Sequence, residues 1–306
     1  MNLTTQIAGH TLNNPLISVP GPIADYASSA LDVAQFGAVV ARAGGKYMLG
    51  KPVTNIDTHQ PSVLTQAPHG LINAIALESD GVEDLMTKEL PHLKKFDTKI
   101  IANIYGSQMD EYLEVSQKLD AQAVDFLELN ISCPNIKGGI AFGTDPVAVE
   151  KLVSTIKQGV KKPVIVKLSP NVSYITEIAQ AAAAGGADAL SMINTVYGTT
   201  IDITAQKPTL ATGFGGYSGP GILPLAIYAV HQCYQVVDIP IIGMGGVSTA
   251  NDALQMLLAG ASAVGMGSVL KDHLKAPVEI REGIEAYMKE RGISHLTELI
   301  GLAHRQ

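Results

Sequence analysis

The segment Glu128-Leu129-Asn130-Ile131-Ser132-Cys133-Pro134-Asn135 reads as a buried strand that ends in a polar tip. The tip carries amides, a hydroxyl and one of only two cysteines in 306 residues. Amides can hold a small polar ring and a thiol can move a proton, so this combination at a strand end points to an active site. Lys167 closes the apolar run that starts at Val164, where it can stabilise negative charge on a bound ring. The alternative is a structural lysine paired with a neighbouring carboxylate. Two glycine clusters add a different chemistry: Gly243-Met244-Gly245-Gly246 and Gly265-Met266-Gly267-Ser268. Glycine lets backbone N–H groups approach phosphate oxygens, and a helix N-terminus favours the anion. Either cluster alone also fits a tight turn. A phosphate end, a lysine at a ring and a proton-moving cysteine opposite suit FMN with a small redox substrate.

These groups need a scaffold that brings distant segments to one mouth. Short apolar runs recur at residues 15–19, 38–41, 100–104, 126–131, 164–168, 189–193, 240–243 and 263–266, mostly bounded by Gly, Pro or Asn. Such runs fit strands buried on both faces of a parallel sheet. Helical periodicity occupies 82–96, 109–119, 146–160, 175–184, 224–236, 251–258 and 277–290. The alternation predicts an α/β fold, a (β/α)8 TIM barrel forming one domain over residues 1–306. A doubly wound sheet is the alternative that the same alternation allows. The first dozen residues read as a hairpin closing the barrel bottom, ending in the turn-like Asn13-Asn14-Pro15. Residues 44–69, rich in Pro, Thr and His, read as an extended loop over the C-terminal face. Function in such barrels sits at the C-terminal strand ends. The polar groups there are Asn103, Asn130 with Cys133, Lys167, Asn194 with Thr195, Gly245-Gly246 and Gly267-Ser268.

Composition narrows the classes. Apolar residues make up 46% and charged residues 16%, the balance of a core-rich globular chain. A net charge of −7 without a basic block gives nucleic-acid binding little support. No apolar run approaches membrane-spanning length, and no signal peptide is visible at the N-terminus, so a cytoplasmic protein is expected. Two cysteines cannot form a four-thiolate metal site, and no metal ligand is assigned. Cys233 lies in a helical run and reads as a packing residue.

The segment from Asn130 to Asn135 resembles the catalytic segment of class 1 dihydroorotate dehydrogenases. The similarity includes Asn14-Pro15, Gly70-Leu71-Ile72-Asn73-Ala74-Ile75, Val166-Lys167-Leu168-Ser169-Pro170-Asn171, Met192-Ile193-Asn194-Thr195, Gly215-Gly216-Tyr217-Ser218-Gly219-Pro220 and residues 241–247. Its details look most like the type 1B enzymes, whose catalytic subunit works with an iron–sulfur, FAD-carrying partner subunit. The resemblance implies FMN-dependent oxidation of dihydroorotate to orotate in pyrimidine biosynthesis, with a homodimer expected. Cys133 would be the base that takes a proton from C5, while the C6 hydrogen leaves as hydride to FMN N5. It implies substrate contacts from Asn73, Asn130, Asn194 and Thr195. It implies FMN contacts from Gly21, Asn103, Asn130, Lys167, Ile193, Gly219, Gly245, Gly246, Gly267 and Ser268.

The front of the chain departs from the family pattern. Arg42 stands where the family has a lysine at the end of strand two, with Lys46 a few residues on. Val19-Pro20-Gly21-Pro22 replaces a run with a small residue before the glycine, and two prolines remove backbone donors. The family pattern would give glycine at Ala76 and asparagine at Ser79. A paralogous FMN oxidoreductase or ene-reductase for a different small ring or unsaturated carboxylate is therefore the second reading. It would keep the flavin end and alter the end that reads the substrate.

Overall fold

The computed structural model describes residues 1–19, 26, 29–44, 64–74, 81–106, 108–131 and 142–305. Eight parallel strands close a barrel in chain order: β1 (Leu16–Ser18), β2 (Ala38–Gly44), β3 (Lys99–Ile104), β4 (Phe126–Asn130), β5 (Val164–Lys167), β6 (Ala189–Met192), β7 (Ile241–Met244) and β8 (Ala263–Met266). Closure is made by β8 on β1, with Val264 opposite Leu16 and Met266 opposite Ser18. Each strand falls on one of the runs read from the sequence, with β2 continuing past residue 41 to Gly44, β3 starting one residue earlier and β7 ending one residue later, and the closed ring excludes the doubly wound alternative.

Successive strand side chains point to opposite faces, and here both faces are buried. One face fills the barrel interior: Ile17, Val40, Ile101, Phe126, Ile165 and Ile242 form one cluster. The other face, including Leu16, Val39, Ala102, Leu127, Val166 and Leu190, packs in the cluster that takes in the surrounding helices. Those helices include Met109–Asp120, Pro146–Gly159, Ile175–Ala184, Leu223–Tyr234, Ala250–Ala259 and Ala276–Arg291. Local chemistry sets where several of them start. Asp145 caps the second, accepting from the Val147 N–H at 3.0 Å, with Pro146 at its first position. Thr249 and Asp252 form a reciprocal capping box on Ala250–Ala259. The helical pattern at 82–96 is less regular than its periodicity suggests: Leu85–Glu89 is a π-helical turn between Val82–Asp84 and Leu90–Leu93.

The N-terminal hairpin pairs Thr5–Ile7 with His10–Leu12, turning through Ala8 and Gly9. Ile7 and Leu12 join the interior cluster, so the hairpin plugs the bottom of the barrel. The Thr5 hydroxyl donates to the Ser262 carbonyl at 2.7 Å just below β8. Asn14 makes the turn into β1 with its Oδ1 accepting from the Leu16 N–H at 3.0 Å.

The opposite face carries a feature that the sequence reading did not anticipate. Leu64–Ala67, Gly70–Asn73, Gly215–Ser218 and Val196–Gly198 form an antiparallel sheet. Its strands come from the connections after β2 and β6, which places it over the C-terminal mouth. Within the stretch expected as an extended loop, Leu64–Ala67 is therefore a paired strand; residues 45–63 lie outside the described residues. These strands are short and rich in glycine, so they lack the β-branched pattern that marks a strand in sequence.

Candidate active site

The inward face of β3 to β6 is apolar at its lower level and polar above. Ile101, Phe126, Ile165 and Ala189 lie in the interior cluster. Two residues further along each strand, on the same face, stand Asn103, Glu128, Lys167 and Ser191, all buried. Asn130 follows one step higher on β4 and is also buried. Backbone register fixes their neighbourhood: Asn103 is opposite Glu128, Asn130 is opposite Lys167, and Lys167 is opposite Ser191.

Glu128 anchors this layer. Its Oε1 accepts from the Asn103 Nδ2 and its Oε2 accepts from the Ser191 hydroxyl at 2.9 Å. Lys167 is 6% exposed, and among the described residues no carboxylate lies within ion-pair distance of it. The structural alternative for this lysine is thus absent there. A buried cation without a protein counter-ion favours an anionic ligand group.

The residues expected on the substrate side form one connected set. Asn130 Oδ1 accepts from the Asn194 Nδ2 at 3.3 Å, and Asn194 Oδ1 accepts from the Thr195 N–H at 2.8 Å. The Tyr112 hydroxyl donates to the Asn130 carbonyl at 2.7 Å, holding the end of β4. Thr195 packs so closely on Gly216 that a Cβ there would lie 2.2 Å from its Oγ1. Asn73 Nδ2 donates to the Gly216 carbonyl at 3.2 Å. Asn171 braces the set, donating from Nδ2 to the Thr195 carbonyl at 3.0 Å and accepting from the Tyr197 N–H at 2.9 Å.

The glycine end is built from backbone. Gly245 and Gly246 follow β7 with φ of +125° and +79°. A Cβ on Gly246 would lie 2.9 Å from the Gly219 carbonyl oxygen and 2.8 Å from the Leu223 nitrogen. One on Gly245 would meet Ile193 Cγ1 at 3.2 Å. Ile193, Gly219, Gly245 and Gly246 therefore converge. Gly267 and Ser268 follow β8, where Ser268 opens a short 3-10 turn, Ser268–Lys271. The space a Cβ would take at Gly245 and Gly246 is filled by protein, so only glycine allows this close backbone packing, and consecutive positive-φ glycines suit backbone N–H donors to an anion.

Of the sequence-derived site residues, Cys133 and Gly21 lie outside the described residues, as do Pro20, Lys46, Ala76 and Ser79. Arg42 lies on β2 with its backbone opposite Asn103. Sequence reasoning missed Glu128, Ser191 and Asn171 as parts of the assembly. The signal for the first was parity: Glu128 is two residues before Asn130 and must share its face. The second cysteine is a packing residue: Cys233 is fully buried in the outer core, and burial pushes its thiol up to about 12.

The fold and this mouth define a class, the (β/α)8 barrels with a polar, glycine-flanked ligand site at the C-terminal strand ends. The model of the dihydroorotate dehydrogenase family matches residues 2–288, and the chain belongs to that family. A "Dihydroorotate dehydrogenase B (NAD(+)), catalytic subunit" of Alkaliphilus metalliredigens (strain QYMF) is 42% identical over 306 residues, covering 98% of each chain. The protein of the same description from Caldicellulosiruptor bescii is 44% identical, covering 98% of this chain and 99% of the relative. A "Putative dihydroorotate dehydrogenase A (fumarate)" of Aquifex aeolicus (strain VF5) is 42% identical over 312 residues, covering 100% of this chain and 99% of the relative.

Proposed function

We propose that this protein oxidises dihydroorotate to orotate for pyrimidine biosynthesis, as a single-domain FMN barrel over residues 1–306. The observation that carries the reading is Lys167, 6% exposed and without an ion-pair partner among the described residues, set on β5 opposite Asn130 and Ser191 within the polar layer. The residues present fit FMN. Gly219, Gly245, Gly246, Gly267 and Ser268, with Gly21, would hold the phosphate-bearing part; Asn103, Asn130, Lys167 and Ile193 would hold the ring. When bound, FMN supplies the acceptor for a hydride.

The chain's own groups do the rest. The Cys133 thiolate removes a proton from C5 of the substrate. A thiol has an ordinary pKa of about 8.5, so the reaction speeds up as pH rises through the thiol's titration unless the site lowers it. Asn73, Asn130, Asn194 and Thr195 grip the substrate carboxylate and ring amides. Their mutual hydrogen bonds keep each amide the right way round before substrate arrives. Lys167 holds negative charge on the ring it faces.

Anaerobic addition of dihydroorotate to the purified, flavin-loaded protein tests the reading: the yellow absorbance bleaches within the mixing time of a manual assay. Absorbance that stays unchanged over minutes sinks dihydroorotate as the substrate. Bleaching by a different ring acid would favour the paralogue, which Arg42 on β2 motivates.

Electrons leave by a route the relatives' names divide on, NAD(+) for two of those compared and fumarate for the third. The chain has two cysteines, too few for a four-cysteine cluster of its own. NAD+ reduction would therefore run through a second, iron–sulfur and FAD-bearing subunit. A homodimer is supported by exposed Tyr197, Ile201, Ile203 and Phe214 on the segment after β6. A cytoplasmic location fits the composition, and among the described residues no helix is long and apolar enough to cross a membrane.

A further inference from the structure

Glu128 has no part in the chemistry above, yet it lies at the centre of the polar layer. It is fully buried on β4, between β3 and β5, and its oxygens take one hydrogen bond each from Asn103 on β3 and Ser191 on β6. Among the described residues it has no ion-pair partner. A carboxylate taken out of water against two neutral donors costs more than an apolar residue at the same place. The site gains something that an apolar residue would not supply.

We propose that Glu128 is a positioning residue for the flavin: its carboxylate fixes the Asn103 amide with the nitrogen inward and the oxygen available to the ligand. The argument is one of donors and acceptors. An ionised carboxylate only accepts, so the Asn103 group that faces it has to be the NH2. With Nδ2 engaged, Oδ1 is the atom left over, and among the described residues nothing donates to it. That oxygen is open to the mouth rather than sealed in the core, so it can be matched by a ring N–H, and the pyrimidine part of an isoalloxazine carries one. Ser191 contributes by occupying the second carboxylate oxygen, which stops Glu128 from swinging away from Asn103. The inference rests on the FMN reading given above.

The test is a double-mutant cycle on FMN dissociation constants, measured by flavin fluorescence with the full chain. Glu128→Met keeps the length and removes the acceptor. It weakens FMN at least tenfold in the wild-type background and less than threefold in an Asn103→Ala background, because the amide it orients is already gone. A smaller loss in the wild-type background, or a loss of equal size in both, overturns the proposal; a purely structural defect gives the latter. Glu128→Gln covers the case in which the Met variant does not fold. Its donor end allows the Asn103 amide to turn over, so FMN weakens at least threefold, and that loss disappears with Asn103→Ala. No weakening by Gln, or persistence of it in the second background, overturns the proposal equally. Wild-type protein that takes up no FMN overturns the flavin reading and this inference together, whereas wild-type binding with a flat cycle overturns the inference alone.

Discussion

At the β4 to β6 end of the mouth, side chains hold side chains: Asn130, Asn194, Thr195 and Asn73 are joined through amides and a packed glycine. At the β7 to β8 end the work falls to backbone, with Gly245 and Gly246 in conformations and spaces closed to other residues. On the proposed reading the first end tells one small ring from another, because a missing partner leaves a buried polar group unpaired. The second can only tell whether there is room for an anion. It should therefore fail sterically, and the first chemically.

Substitutions can break or sharpen that contrast. The largest effect belongs to Cys133→Ser, which removes the proposed base and lowers the rate of anaerobic flavin reduction about 10³-fold, within the range for general-base loss. FMN content stays at the wild-type level, and loss of flavin instead would place Cys133 outside the chemistry. Lys167→Met comes next, with reduction slowed about 100-fold as the charge facing the ring disappears; stopped-flow absorbance reads it. Gly246→Ala attacks the other end. Left-handed strain and the contact with Gly219 weaken FMN about 30-fold by equilibrium dialysis, a loss of about 2 kcal/mol. Restored binding at saturating FMN, with a wild-type reduction rate, would separate the two ends cleanly.

Asn194→Ala should raise the dihydroorotate KM about tenfold through one lost amide contact, leaving FMN affinity unchanged. Equal damage to both constants would show that the two ends are not independent. The smallest effect is at Cys233→Ala: activity is unchanged, and the melting temperature drops by a few degrees for a small core truncation.

The barrel was legible because a parallel sheet buried on both faces writes each strand as a short unbroken apolar run, as in Val164-Ile165-Val166. The glycine end was legible for a related reason: Gly245-Gly246 and Gly267-Ser268 follow directly on such runs. Glu128 was less so, since a lone acid within Phe126-Leu127-Glu128-Leu129 can be read as an interruption until inward parity is applied. The sheet over the mouth left the weakest trace. Its pairing partners, such as Tyr217 with Ile72 and Leu64 with Asn73, are far apart or weakly strand-forming, and long-range pairing has no local period. Asn171 was visible as part of a motif, but its role as a brace depends on a turn back to Thr195 that spacing does not reveal.

That sheet has a consequence for anyone grafting specificity from a relative. Gly70–Asn73 is sandwiched between Leu64–Ala67 and Gly215–Ser218, so the connections after β2 and β6 are woven into one fabric. A transplant of either connection by itself would bring foreign edge geometry to a native neighbour and shift Asn73 against Gly216. The two behave as a single cassette, to be exchanged together or not at all.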